Sequence, residues 1–177
     1  MMRRVKHPRT SPTALALAVM LALEVGLTGA CATGVDRLPP LDRRFYEVLA
    51  SDTDRKDFLG TKPAERQSFL ESRGLWDAWQ SLTAKERTAV ESGAIEVGYL
   101  QFAAHMAWGR PADVKVVKAG SRTVLYETFI RCTSGPKTGR YVRQNMECDG
   151  TSSERRITVE DGLVTEIRDL DLSLIHI

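Results

Sequence analysis

The stretch Ala107-Trp108-Gly109-Arg110-Pro111-Ala112-Asp113-Val114-Lys115-Val116 is where the apolar pattern changes period, and the fold class turns on it. Before it, Leu100, Ala103, Ala104, Ala107 and Trp108 lie on neighbouring helical turns, which predicts a helix over residues 100–108. Gly109 suits the left-handed position that ends a helix, and Pro111 prevents its continuation. After Pro111 the period is two. Val114 and Val116 alternate, and Val124, Tyr126, Thr128 and Ile130 line one face of a strong strand. Ile157 and Val159 line another strand, and Leu163, Thr165 and Ile167 a third. Helix punctuation followed by period-two strands reads as an α+β domain, with helices packed on one face of an antiparallel sheet. The expected sheet consists of residues 122–132, 152–160 and 163–170. It is three-stranded, or four-stranded if residues 141–146 form a strand of their own.

Asp161-Gly162 is a hairpin signal between the last two strands. A two-residue turn would pair Val159 with Val164. A three-residue turn with Gly162 in the left-handed region would pair Val159 with Leu163 and Ile157 with Thr165. The second aligns the apolar faces better and is the expected register.

Upstream, residues 42–93 read as a helical region. Phe45, Val48 and Leu49 recur at helical spacing behind Asp42, and Gly60 stops that segment. Thr61, with Pro63 in the first turn, is a plausible helix start, Phe69 and Leu70 give that helix its stripe, and Gly74 ends it. Thr83 with Glu86 three residues on is a capping box for a short helix closing at Gly93. Leu75, Trp76, Trp79 and Leu82 lie between these helices, and the tryptophans are expected to pack on them.

The N-terminus reads as a targeting segment. Arg3, Arg4, Lys6 and Arg9 make a basic start, residues 14–23 are an unbroken apolar run, and Thr28-Gly29-Ala30 supplies small residues before Cys31. These are the parts of an export signal. Leu27-Thr28-Gly29-Ala30-Cys31 resembles the lipobox of bacterial lipoproteins. Its large aliphatic residue stands four places before the cysteine, where the usual pattern has it three before. The resemblance implies a diacylglycerol thioether on Cys31, cleavage before it and acylation (palmitate or similar) of the new N-terminus. The alternatives are an ordinary cleaved signal and an uncleaved anchor, although the uncharged run is too short to cross ~30 Å of hydrocarbon. By resemblance to enterobacterial sorting, Ala32 rather than Asp after the cysteine implies the outer membrane, facing the periplasm. Residues 1–30 are then the signal peptide, 31–41 a tether containing Gly34, Pro39 and Pro40, 42–93 the helical region, and 94–177 an αβββ domain packing with it.

Removing residues 1–30 takes four basic residues and Glu24 from totals of 25 and 23, leaving 21 and 22. The mature chain is therefore close to neutral. A nucleic-acid partner, which would need a clustered basic face, is not expected. With Cys31 assigned to lipid, Cys132 and Cys148 are an even pair in an oxidising compartment and are expected to form a disulfide, the alternative being two buried thiols. The bond would close a loop of about fifteen residues, for which chain entropy alone is worth ~3 kcal/mol. It excludes a tight hairpin of 141–148 back on 122–132, which would leave Cys148 beside Val124, roughly 26 Å from Cys132 along the strand. Residues 133–147 are accordingly expected as a looped excursion.

Gly98-Tyr99-Leu100-Gln101 through Trp108-Gly109-Arg110-Pro111 resembles the Gly-Met-Thr…Leu-Gly-x-Pro signature of the SmpA/OmlA lipoproteins, a family that includes the small lipoprotein of the outer-membrane β-barrel assembly machinery. Gly98 and Gly109 have the family's spacing and Pro111 its place, while Tyr99 and Leu100 stand where the family has Met and Ser or Thr. Val124-Leu125-Tyr126 and Asp161-Gly162 extend the likeness over residues 95–170. It implies a lipid-anchored envelope binding or scaffold protein, with an envelope protein as partner, that supports outer-membrane assembly or integrity. The rival readings are a periplasmic inhibitor or ligand-binding module and, more remotely, an enzyme, since a fold does not fix function.

No catalytic motif or cofactor site is expected. Gly-x-Ser-x-Gly, His-Glu-x-x-His and phosphate-loop patterns are missing from the sequence. His105 reads as a solvated or packed helical residue. Glu166, Asp169 and Asp171 resemble a metal cluster but read better as a solvated strand end. Arg131, Lys137, Arg140 and Arg143 read as an ordinary loop surface, the alternative being contact with lipid phosphates or an acidic partner.

Overall fold

A computed structural model describes residues 34–170 of the chain. The chain divides between Arg37 and Leu38 into two compact units. Of the first, the described residues form the 3-10 turn Gly34–Arg37. The second holds six α-helices followed by a five-stranded antiparallel sheet among its described residues. Cys31 and Asp171 lie outside the described residues.

The helices are short, and each boundary has a local cause. Helix α1, Pro40–Val48, starts on a proline, whose missing N–H and preset φ suit a first turn. Regular structure thus begins before Asp42. Helix α2, Asp52–Gly60, is separated from α1 by residues 49–51, and its cap is Ser51, whose Oγ accepts from the Asp54 N–H at 3.0 Å. Thr61 proves to be the end of α2 rather than a start. After the 3-10 turn Pro63–Glu65 comes α3, Arg66–Glu71. Residues 75–82 are not a linker: Leu75–Ser81 is helix α4, entered through Gly74 at φ +68°, and Trp79 is its buried residue. Helix α5, Ala84–Ser92, has the expected reciprocal Thr83–Glu86 capping box, and Gly93 in the left-handed region closes it. Helix α6 is Gln101–Trp108.

The helices pack through aromatic contacts. Phe45, wholly buried, meets Trp76 and Trp79 with ring centroids 5.9 and 6.1 Å apart, so both tryptophans are helix-packing residues. Phe58 meets Phe69 at 5.5 Å, and the Arg66–Asp42 ion pair at 2.7 Å ties α3 to α1.

The sheet is wider than expected. Residues 113–119 are strand β1, Asp113–Ala119, which hairpins through Gly120-Ser121 onto β2, Arg122–Cys132. The full path is β1–β2–β4–β5, with β4 at Ser152–Glu160 and β5 at Leu163–Leu170. The two-residue β3, Tyr141–Val142, pairs with Ile130 and Arg131, beyond the end of β1 on the same edge of β2. The β4–β5 register corrects the expectation. Asp161 and Gly162 both have positive φ, a two-residue turn of the kind hairpins favour, and Val159 pairs with Val164. A bulge then absorbs Thr165, so that Ile157 pairs with Ile167. The bulge delivers the apolar alignment that the longer turn was expected to supply. Val124, Tyr126, Thr128 and Ile130 do share a face, but it points away from α6. The face that meets α6 carries Glu127 and Phe129.

Glu86 joins α5 to α6. One carboxylate oxygen caps its own helix, and the other accepts from the Leu100 N–H at 2.8 Å. Burial pushes this carboxyl up, but the Leu100 and Thr83 hydrogen bonds outweigh burial and hold it below the ordinary glutamate range.

Two outcomes follow from this packing. Phe45→Ala should lower the unfolding free energy by ~3–5 kcal/mol in denaturant titrations. A depressed carboxyl contributes stability that is present above its unfolded value, about 4.3, and is lost as pH falls through the folded one. Acid-limb unfolding of Glu86→Gln should therefore be shallower than that of the parent chain; identical limbs would show that Glu86 does not carry this linkage.

Candidate functional site

Chemistry-bearing side chains gather in three places around α6 and β2. At the first, Glu127 is 2% exposed at the centre of the helix-facing side of the sheet. Its two oxygens are taken by side chains one helical turn apart. Gln101 Nε2 donates to Oε1 at 2.7 Å, and His105 Nε2 lies 2.8 Å from Oε2. Spacing of i and i+4 puts both on the same face of α6, which is why one carboxylate serves both. His105 is thus packed, but against a buried carboxylate and the Phe129 ring rather than apolar residues alone. The imidazole remains partly open, its side chain 24% exposed. On β1, Val114 pairs with Glu127 and is 47% exposed, so the site opens on that side. This arrangement orients one imidazole with a carboxylate. A covalent or acid–base reaction would also need a reacting group beside the ring.

The second place is aromatic. Trp108 stacks on Tyr141 at 5.4 Å and meets Phe129 edge-on at 5.2 Å. The Arg155 guanidinium lies 5.4 Å from the Trp108 ring centre and forms a two-pronged bond with Asp169, at 2.6 and 3.0 Å. That bond holds the Asp169 carboxyl below its usual range, while burial pushes the Tyr141 hydroxyl up. Asp169 is thus paired with Arg155 across the β4–β5 ladder. Glu166 lies on the opposite face of β5, bonded by Arg168 and Thr158. Among the described residues no group of His, Cys, Asp and Glu is placed to hold a metal ion.

The third place is the loop after β2. Cys132 and Cys148 are disulfide-bonded with Cα atoms 5.2 Å apart, both buried. The excursion is anchored at its base as well. Thr133 N–H donates to the Thr151 carbonyl at 2.8 Å, and Thr151 N–H to Ser134 Oγ at 2.8 Å. A Cβ on Gly150 would come within 2.7 Å of the Ser134 carbonyl oxygen, so the two arms approach more closely than other residues allow. The excursion expected over residues 133–147 is largely a loop, but the exclusion of a hairpin by the disulfide does not hold: Tyr141–Val142 pairs back on Ile130 and Arg131, and the 3-10 turn Asn145–Cys148 then bends the chain so that Cys148 still reaches Cys132.

The loop's cations do not form one patch. Lys137 bonds the Glu147 carbonyl and lies 3.8 Å from Asp149. Arg131 sits within charge reach of Asp169 and Tyr141. Arg140 is within charge reach of Glu47, and Arg143 of Arg110.

The motif glycines have structural work. Gly98, at φ +93°, donates to the Val164 carbonyl at 2.7 Å, and Val164 N–H returns a bond to Tyr99 at 2.8 Å. Gly98 thereby binds the helix entry to the edge of β5. Gly109 combines φ +79° with ψ −164°, so it is not in the left-handed helical region expected of it. This extended positive-φ geometry still suits glycine, and it redirects the chain through Pro111 to Ala112, whose N–H bonds Thr128. Glu127 was missed in the sequence because it sits in a strand read by its other face. The Gln101–His105 spacing was the available signal. Compared with known proteins, the chain matches no family model, no curated protein and no solved structure.

Glu127→Ala leaves the Gln101 amide and the His105 ring without their acceptor, so a loss of about 1–3 kcal/mol is expected from urea midpoints. Adding His105→Ala to it should cost less than the two single losses summed, because the residues share one bond. Strict additivity would show that the pair does not interact.

Proposed function

We propose that the chain is a lipid-anchored binding or scaffold protein of the bacterial cell envelope, exported by residues 1–30, acylated on Cys31, and supporting outer-membrane assembly or integrity. The observation that supports it best is the Cys132–Cys148 disulfide. Two cysteines sixteen residues apart are buried together at the base of a loop, and such a bond persists in an oxidising compartment beyond the cytoplasm. The export segment and the lipobox-like Leu27-to-Cys31 stretch supply the route and the anchor. Among the described residues no helix is long and apolar enough to cross a membrane, so on this reading acyl chains do the holding. The role is binding rather than catalysis, because the chemistry-bearing side chains around α6 are spent on one another: Glu127 on Gln101 and His105, and Asp169 on Arg155.

Intact-mass and N-terminal peptide spectrometry of protein taken from membranes should give a chain beginning at an acylated Cys31. An unprocessed Met1, or a bare start, overturns the anchor. Crosslinking in the envelope followed by mild-detergent purification should recover barrel-assembly proteins. Recovery of a single soluble partner would favour a periplasmic inhibitor instead.

A further inference from the structure

The face of the sheet turned away from α6 carries a depression of about 290 Å³, lined by Asp113, Lys115 and Val117 of β1, Tyr126 and Thr128 of β2, and Arg156 of β4. Strand register sets its plan. Asp113, Thr128 and Arg156 lie in one cross-strand row, and Lys115 pairs with Tyr126 in the next. Val117 closes the β1 side one row further on. Tyr126 and Thr128 are half-buried and form the floor, while Asp113, Lys115 and Arg156 are exposed around it. Sites for small ligands begin at about 300 Å³, so the depression is of the smallest useful size.

The polar groups of this depression are uncommitted. Among the described residues, the side chains of Asp113, Lys115, Tyr126, Thr128 and Arg156 make no hydrogen bond or ion pair. Elsewhere on the same face charges are paired: Arg122 lies 3.8 Å from Glu160, and Arg168 lies 2.6 Å from Glu166. Arg168 stands directly opposite Arg156 and adds like charge rather than a partner. Glu154, two residues along β4 on the same face, does not line the depression and forms no ion pair with Arg156.

Separation keeps Asp113 and Arg156 from neutralising each other. They flank Thr128 from β1 and β4, two strand spacings or about 10 Å apart at Cα. The gap between them matches a molecule carrying both signs of charge, with an ammonium for Asp113 and a carboxylate for the planar fork of Arg156. An extended dipeptide spans about 7 Å, which leaves each of the two side chains a short reach to its end of the ligand. A single amino acid covers half that span. Lys115, beside Tyr126, supplies a second cation, so an acidic ligand side chain is favoured over a basic one. The Tyr126 ring offers a surface for the ligand's apolar part.

We infer that this depression binds a free acidic peptide of dipeptide size, its ammonium on Asp113, its terminal carboxylate on Arg156 and its side-chain carboxylate on Lys115. The Thr128 hydroxyl lies in the row between the two ends and meets the peptide group. The requirement for both a free ammonium and a free terminal carboxylate separates such a ligand from a segment of a longer chain, which presents neither at this spacing. All six lining residues belong to the sheet, so the inference stands apart from the anchor: it gives a binding protein its ligand whether or not Cys31 is acylated.

The test titrates the full chain, in neutral detergent, with the dipeptide Leu-Glu and follows backbone amide shifts by NMR. Saturable shifts should be confined to β1, β2 and β4 around Tyr126. N-acetyl-Leu-Glu, the α-amide of Leu-Glu, and Leu-Lys should each bind about tenfold more weakly, since each removes or reverses one charge-assisted contact. Asp113→Asn should erase the difference between Leu-Glu and its N-acetyl form, and Arg156→Gln the difference between Leu-Glu and its α-amide. Both substitutions are at exposed positions, and the unliganded spectrum of each variant reports that it is folded. Absence of saturable shifts up to the solubility of the peptide overturns the inference. So do equal affinities for Leu-Glu and its two blocked forms, which would make the face a reader of side chains on a protein partner, and so do variants that keep the parent's selectivity.

Discussion

The position of α6 on the sheet rests on one buried carboxylate. Apolar contact between a helix and a sheet is nearly indifferent to small slides and rotations, because the area removed from water changes little. A buried carboxylate is not indifferent: leaving it without donors is costly. Glu127 has two partners, and both come from one face of α6, one turn apart. Their positions fix which face of the helix looks down and how far along β2 it lies. With that set, Trp108 falls, three residues past His105, on Phe129, two residues past Glu127. Helix rise and strand rise match closely enough over that distance for one polar bond and one aromatic contact to be made together.

The ends of α6 are handled in the same way. Its first N–H groups meet negative charge, since Glu86 reaches from α5 to the Leu100 N–H at 2.8 Å. Its last carbonyls meet positive charge. Arg44 on α1 donates to the Met106 and Ala107 carbonyls at 3.1 and 3.4 Å, and to Glu91 at the end of α5 at 3.0 Å. Both contacts have the favourable sense of the helix dipole, and both satisfy groups that an isolated helix leaves open. Trp108 Nε1 adds a bond to the Gly93 carbonyl at 3.0 Å. The short helices α1 and α5, neither long enough to be stable alone, are in this way tied to the ends of α6.

Legibility in the sequence followed the range of the interaction. Signals spanning three or four residues read correctly: the Thr83–Glu86 box, the end of α6 at Trp108, and the presence, though not the turn length or register, of the Asp161-Gly162 hairpin. Signals that depend on a distant partner did not. Leu75–Ser81 looked like a linker because its helical stripe, Leu75, Trp76 and Trp79, is short, and the Phe45 ring it meets is thirty residues away in sequence. Residues 113–119 were read as alternating but not as part of the sheet, because an edge strand leaves its valines half open and lacks a buried stripe. The bulge at Thr165 was invisible because apolar residues on either side of it are in phase only after one residue has been removed from the count. Glu127 was hidden for a related reason: a strand with apolar residues on one face is read by that face, and its other face can be the buried one.

The loop after β2 was half legible, and the disulfide explains the half that was not. Charge counting along residues 131–143 groups Arg131 with Arg140 and Arg143 because they are close in sequence, whereas Arg131 lies within charge reach of Asp169 and Arg140 of Glu47. An untied loop of this length would sample many conformations, because closing its ends costs chain entropy. Here the Cys132–Cys148 bond, the Thr133–Thr151 bonds and the close passage of Gly150 by Ser134 hold the base shut. Pairing of Tyr141–Val142 with β2, and the Tyr141 stack on Trp108, anchor the middle. Arg140 and Arg143 flank that anchored pair on either side. Their backbone placement is therefore a property of the cross-linked sheet edge, fixed by the disulfide below and the aromatic stack in the middle.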